Sequence, residues 1–294
     1  MARTAKAVGL AVVVVLVVVG AGVATRKAEH AVAEATPSTS ATPRTVPKPK
    51  GAITYDLMQQ ATRSKLYTAG RVPAVSCQLP RARLMSKAAL LAYGQVMVDC
   101  LQRAWAPLVA KTDMYFDKPA LVAYSKKDPT TFCADPPSNT DAFYTSADRA
   151  ICFEWPQYVE SDPGDLTLVD FQYTLSHEYG HHLQAAVGIL SMYDMPYVDT
   201  TKAAQLEAER RLELQASCLG AAFLGANKRA FGLTGEGFED WKYLVKHYGD
   251  DNGSPKPIRD HGSRKSHGYW SLRAFGSADP ASCNTFTAPA KLVS

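Results

Sequence analysis

Residues 165–187 read DLTLVDFQYTLSHEYGHHLQAAV. Asp165 can cap a helix running from about Leu166 to Val187, and the first half of that helix, LTLVDFQYTLS, is rich in apolar side chains. Within it His177-Glu178-Tyr179-Gly180-His181 forms an HExxH pattern. At i and i+4 the two imidazoles stand on one helical face, one turn apart, close enough to share a tetrahedral zinc. Glu178 can reach a zinc-bound water as general base. The plain alternative is a pair of half-buried histidines bonded to local polar groups, and the mid-helix, apolar setting weighs against it. His182 points about 100° away from His181 and is expected to be a non-ligand, facing solvent or a group behind the site.

A catalytic zinc takes three protein ligands and keeps one open position, so a third ligand is needed downstream. Asp199 with Thr200 can cap a second helix from about Lys202 to Gly225, which carries Glu207, Glu209 and Glu213. Glu207 and Glu209 stand beside Arg210 and Arg211, the pattern of a solvated charged face. Glu213 has Leu212, Leu214, Ala216 and Leu219 around it, where an ionised carboxylate is costly without a cation. Glu213 is therefore the expected third ligand.

Around these two helices, Ser86 to Lys111 places apolar residues at helical spacing with Ser86 as cap. Ala120 to Tyr124 reads as a short strand, and Ala142 to Thr145 with Ala150 to Phe153 reads as a hairpin around SADR. Further helices are expected near Phe238 to His247 and Ser266 to Phe275. The fold class that follows is α+β, mostly helical with a small sheet.

The chain has 294 residues, 46% of them hydrophobic, enough for one good-sized core plus an appendage. Its net charge of +4 is concentrated at the N-terminus: the first fifty residues hold seven Lys or Arg against two Glu, and the rest is close to neutral. No basic stripe remains to steer nucleic acid, which is excluded as a partner. Ala7 to Ala24 is free of charge and follows Arg3 and Lys6, the layout of an export signal or a retained anchor. Eighteen helical residues reach roughly 27 Å, just enough to span, and Arg26 and Lys27 close the run, so an anchor is favoured. Cleavage after Ala24 or Ala33 would instead give a secreted protein. The organisation expected is a signal anchor or signal peptide over 1–35, a Pro/Ser/Thr-rich stalk over 36–51 and one domain over 52–294. Six cysteines, an even number with no CxxC pair, point to three structural disulfides in an exported domain rather than a thiolate zinc site.

HEYGHHLQ at 177–184, ELQASCLGAAF at 213–223 and SHGYWSLRAFGSADPASCNTF at 266–286 resemble the neutral zinc metallopeptidase family, over roughly Tyr115 to Phe286. The resemblance implies a zincin-like domain, Zn2+ as cofactor, a peptide or protein substrate, and Glu213 as third ligand. It also implies a link between Cys218 and Cys283, leaving Cys77 with Cys100 and Cys133 with Cys152 by proximity. Ser217 stands where the family pattern has aspartate, so any support it gives to a ligand imidazole carries no charge. His267-Gly268 matches a His-Gly pair of the family, which makes His267 a candidate donor to a developing oxyanion and Tyr269 the runner-up. A histidine that only fastens the tail to the body is the equal alternative. The resulting expectation is zinc-dependent peptide hydrolysis at the cell membrane by a single-pass protein with an extracytoplasmic domain, or by a secreted one. The rival from another class is a weak or inactive peptidase-like surface binding module; Ser217 favours it and an intact Glu178 opposes it.

Overall fold

The computed structural model describes residues 52–81, 83–127, 133, 140–159, 166–192, 201–251 and 259–294. The apolar segment Ala7–Ala24, the 36–51 stalk and the caps expected at Asp165, Asp199 and Thr200 lie outside these residues. Among the described residues, no helix is long and apolar enough to cross a membrane.

The described elements are α1 (Ala52–Arg63), α2 (Lys87–Val109), β1 (Ala120–Tyr124), β2 (Ala142–Thr145), β3 (Ala150–Glu154), α3 (Thr167–Ala186), α4 (Lys202–Ala226), α5 (Glu236–Val245) and α6 (Arg264–Ser277). The chain is therefore α+β, with helices predominating over one small sheet. Ser86 caps α2 as expected, its hydroxyl accepting from the Ala89 amide at 3.2 Å. The helix stops at Val109, short of Lys111, because Ala110–Thr112 tightens into a 3-10 turn and Asp113 turns left-handed at φ 61°. For α4 the cap is Thr201: its backbone is extended and its hydroxyl reaches the Ala204 amide at 3.2 Å, so the helix starts at Lys202.

β2 and β3 form the expected antiparallel hairpin, with Ala142 opposite Phe153 and Thr145 opposite Ala150. β1 runs parallel to β3 on its other side, giving the order β1-β3-β2. The central strand, AICFE, is buried along its whole length. That suits a strand flanked on both edges and covered by α3.

α3 is the axis of the domain. It packs on the sheet along one side and on α4 along the other, and α4 in turn packs on α6. Every residue of α3 from Phe171 to Gln184 is buried. Backbone meets backbone at both helix contacts: a Cβ on Gly180 would strike the Ala216 carbonyl, one on Gly220 the Ser176 carbonyl, and one on Gly225 the Phe275 carbonyl. Gly180 and Gly220 let α3 and α4 approach far enough for side chains on facing turns to touch end to end, and Gly225 does the same for α4 and α6.

All six cysteines are paired, Cys77–Cys100, Cys133–Cys152 and Cys218–Cys283, as the sequence led one to expect. The third bond fastens the C-terminal tail to α4, one turn beyond Glu213.

Candidate metal centre

His177, Glu178, His181, His182 and Gln184 on one buried helix are too polar to be an ordinary core stripe, and each needs a partner. His177 and His181 present Nε2 atoms 3.1 Å apart. Glu213 Oε2, from the facing turn of α4, lies 3.3 Å from each. A tetrahedral zinc with bonds of about 2.05 Å separates neighbouring ligand atoms by about 3.3 Å, so the triangle has the dimensions of one face of such a shell.

The hydrogen bonds behind the trio fix which nitrogen faces inward. Gln184 donates its amide to the Leu212 carbonyl at 2.8 Å and to Gln215 Oε1 at 3.0 Å, which leaves Gln184 Oε1, an acceptor, 2.9 Å from His181 Nδ1. His181 Nδ1 must donate. Gln215 is oriented the same way, by donation to Tyr67 Oη at 2.6 Å and to the Cys283 carbonyl at 3.2 Å. His177 Nδ1 meets Ser217 Oγ at 2.9 Å, so Ser217 does stand behind a trio imidazole, as the sequence pattern implied. Two Nε2 atoms and a carboxylate oxygen thus converge in a buried space and demand a positive charge between them. In the protein alone a proton supplies it: burial opposes protonation of His181, but the Glu213 charge outweighs it and lifts His181 to about 9. Glu213 is held well below the usual carboxylate range, burial being overcome by His181 and His261. His177 goes the other way, down to about 4, because burial dominates there. This donor set fits a divalent metal with imidazole and carboxylate preferences.

Glu178 is fully buried, and among the described residues neither of its oxygens makes a hydrogen bond of normal geometry. Burial pushes its pKa up to about 7, and the charges that act on it most are those of His181, Glu213 and His261. A buried carboxyl with its pKa raised to about 7 can take up and release a proton near neutral pH.

His182 stays out of the trio as expected, and of its two expected surroundings it does not take the solvent: it is buried. Its Nε2 donates to the Asp117 carbonyl at 2.8 Å, its Nδ1 accepts from Tyr144 Oη at 3.1 Å, and its ring stacks on Phe116 at 5.1 Å. It ties α3 to β2 and to the segment before β1. Glu207 pairs with Arg211 at 2.7 Å and stays partly exposed, away from the trio.

His267 is buried, with Nδ1 at 3.3 Å from Tyr173 Oη. Tyr269 is 39% exposed and lies edge-on to Trp270. The residue that sequence reasoning missed is His261. Its Nδ1 is 2.6 Å from Asp260 Oδ1, and its Nε2, buried and without a hydrogen-bond partner of normal geometry, lies 3.5 Å from Glu213 Oε2. Burial would depress it, but Glu213 and Asp260 raise it to about 9. It does not join the group of His177, His181 and Glu213, whose ligand atoms all lie within 4.8 Å of one another. The available signal was a second His-Gly pair, His261-Gly262, preceded by an acid.

A family profile described as "Putative neutral zinc metallopeptidase" matches residues 56–286, beginning well before Tyr115, where the motif resemblance began. Two curated relatives, both named uncharacterized protein YpfJ, come from Escherichia coli strain K12 and Escherichia coli O6:H1 strain CFT073. Each is 27% identical over 204 residues, which cover 66% of this chain and 70% of the relative. No solved structure matches.

Proposed function

The chain belongs to the neutral zinc metallopeptidase family, and from that premise we propose that it is a zincin-like peptidase in which His177, His181 and Glu213 hold Zn2+ and Glu178 is the general base. The observation that carries the reading is the near-equilateral triangle of two Nε2 atoms and Glu213 Oε2, with an unsatisfied carboxyl beside it. When bound there, zinc would polarise the scissile carbonyl and acidify the attacking water. Glu178 takes the proton of that water on a carboxylate oxygen and later delivers it to the leaving amine. Donation to the developing oxyanion, first expected of His267, falls better to His261. Its Nε2 faces the trio while Asp260 holds the other side of its ring.

The three disulfides support a domain that works outside the reducing cytosol, delivered by the Ala7–Ala24 segment as an anchor or a cleaved signal. The test is zinc content of the purified protein together with a broad peptide-cleavage screen before and after chelation. About one zinc per chain with chelator-sensitive cleavage supports a peptidase. Zinc without any cleavage favours the binding-module reading, and no zinc removes the site.

Zinc must also displace the proton that His181 and Glu213 hold between them. That proton is bound below about pH 9, so apparent zinc affinity should rise with pH, by about tenfold per unit between pH 6 and 8. Chelator competition at three pH values reads this directly, and a flat profile would mean that the metal does not use His181.

A further inference from the structure

Behind His177 runs a chain of four buried groups with no charge in it. His177 Nδ1 lies 2.9 Å from Ser217 Oγ, Ser217 Oγ 3.1 Å from Tyr173 Oη, and Tyr173 Oη 3.3 Å from His267 Nδ1. Each hydroxyl carries one proton, so each link sets the direction of the next. If His177 Nδ1 donates, Ser217 passes its proton toward Tyr173, Tyr173 donates to His267 Nδ1, and the His267 proton sits on Nε2. If His267 instead carries its proton on Nδ1, the chain reverses. His177 Nδ1 then accepts, its Nε2 bears the proton, and no lone pair faces Glu213. The mixed arrangements break the chain: with both rings donating, one buried hydroxyl proton has no acceptor, and with both accepting, no proton lies between Ser217 Oγ and Tyr173 Oη.

We propose that His267 is a positioning residue: through Tyr173 and Ser217, the nitrogen on which it carries its proton decides whether His177 offers Nε2 to a metal. The inference rests on His177 being a ligand. One further observation agrees with it. Burial, helped by the His261 charge, lowers His267 to about 3, so the ring is neutral and has one proton to place. The forward chain places the proton on His267 Nε2, which is buried and has no hydrogen-bond partner of normal geometry among the described residues. An aspartate at position 217 would need none of this, because a carboxylate only accepts and so orients a ligand imidazole unaided.

The experiment is zinc affinity of the full chain by chelator competition at one pH, in two backgrounds. In the Ser217 background, His267→Phe should weaken zinc about 10- to 100-fold, and His267→Asn, whose Oδ1 can accept from Tyr173, should recover most of it. In the Ser217→Asp background the new carboxylate accepts from both His177 and Tyr173, so His267→Phe should change affinity by less than about twofold. Nitrogen-15 spectra of the zinc-loaded wild type should show His267 protonated at Nε2 and bare at Nδ1. An equal effect of His267→Phe in both backgrounds, no effect in either, or a protonated Nδ1 would overturn the proposal while leaving the metal site standing. A wild type that takes up no zinc would overturn both.

Discussion

Glu178→Gln is expected to keep its zinc and lose about 10²- to 10⁴-fold in peptide turnover, the range over which a positioned general base accelerates a reaction. The amide has nearly the shape of the carboxyl it replaces but cannot take a proton from water. Zinc content should not fall, because Glu178 lies outside the His177, His181 and Glu213 trio. The same substitution has a second signature, in stability. Burial raises the Glu178 pKa from 4.5 to about 7, so in the zinc-free protein the folded state resists an ionisation that the unfolded chain accepts. The penalty is absent below about pH 4.5, grows as pH rises, and is complete above about pH 7, where it amounts to about 3 kcal/mol. Glutamine carries no such penalty. Zinc-free Glu178→Gln should therefore be the more stable protein at pH 8 and lose that advantage toward pH 4, measured by denaturant unfolding. A stable, zinc-bound variant that cleaves as fast as wild type would remove Glu178 from the mechanism.

The parts of this site that were legible beforehand are those fixed by local geometry. HExxH places two rings on one face whatever surrounds the helix, and Glu213 stands out because its neighbours are apolar while Glu207 and Glu209 sit among arginines. The burial of His182 was not legible: α3 is covered on every side, so periodicity singles out no solvent face, and only its partners Asp117 and Tyr144 show where the ring goes. The parallel pairing of β1 with β3 is a long-range choice that the β2–β3 hairpin does not dictate. His261 was hidden for a similar reason. It stands outside any regular element, in the segment just before α6, and reaches Glu213 only because α6 packs on α4 and the Cys218–Cys283 bond holds the tail there. Two His-Gly pairs compete in that segment, and spacing alone does not say which ring turns toward α4.

His181→Ala is expected to abolish stoichiometric zinc and, unlike most surface changes, to destabilise the metal-free fold as well. Loss of one ligand from a three-ligand shell should exceed the 10- to 100-fold that an outer partner costs. The stability effect comes from the carboxylate left behind. Glu213 is buried, and its negative charge is held chiefly by His181, then His261, with His177 bonded to it as well. Removal of the first leaves a poorly compensated buried anion, a change that typically costs about 3–5 kcal/mol. His261 can take over part of that compensation, which places the effect at the lower end. His182→Ala is the matched control one residue along α3. It should retain full zinc, because its ring belongs to Phe116, Tyr144 and the Asp117 carbonyl, and yet it too should lose stability through the cavity and the orphaned carbonyl. The two variants therefore resemble each other in unfolding and differ in metal content. Full zinc in both His177→Ala and His181→Ala would mean that the triangle on α3 and α4 is a hydrogen-bonded core cluster, and the peptidase reading would fall with it.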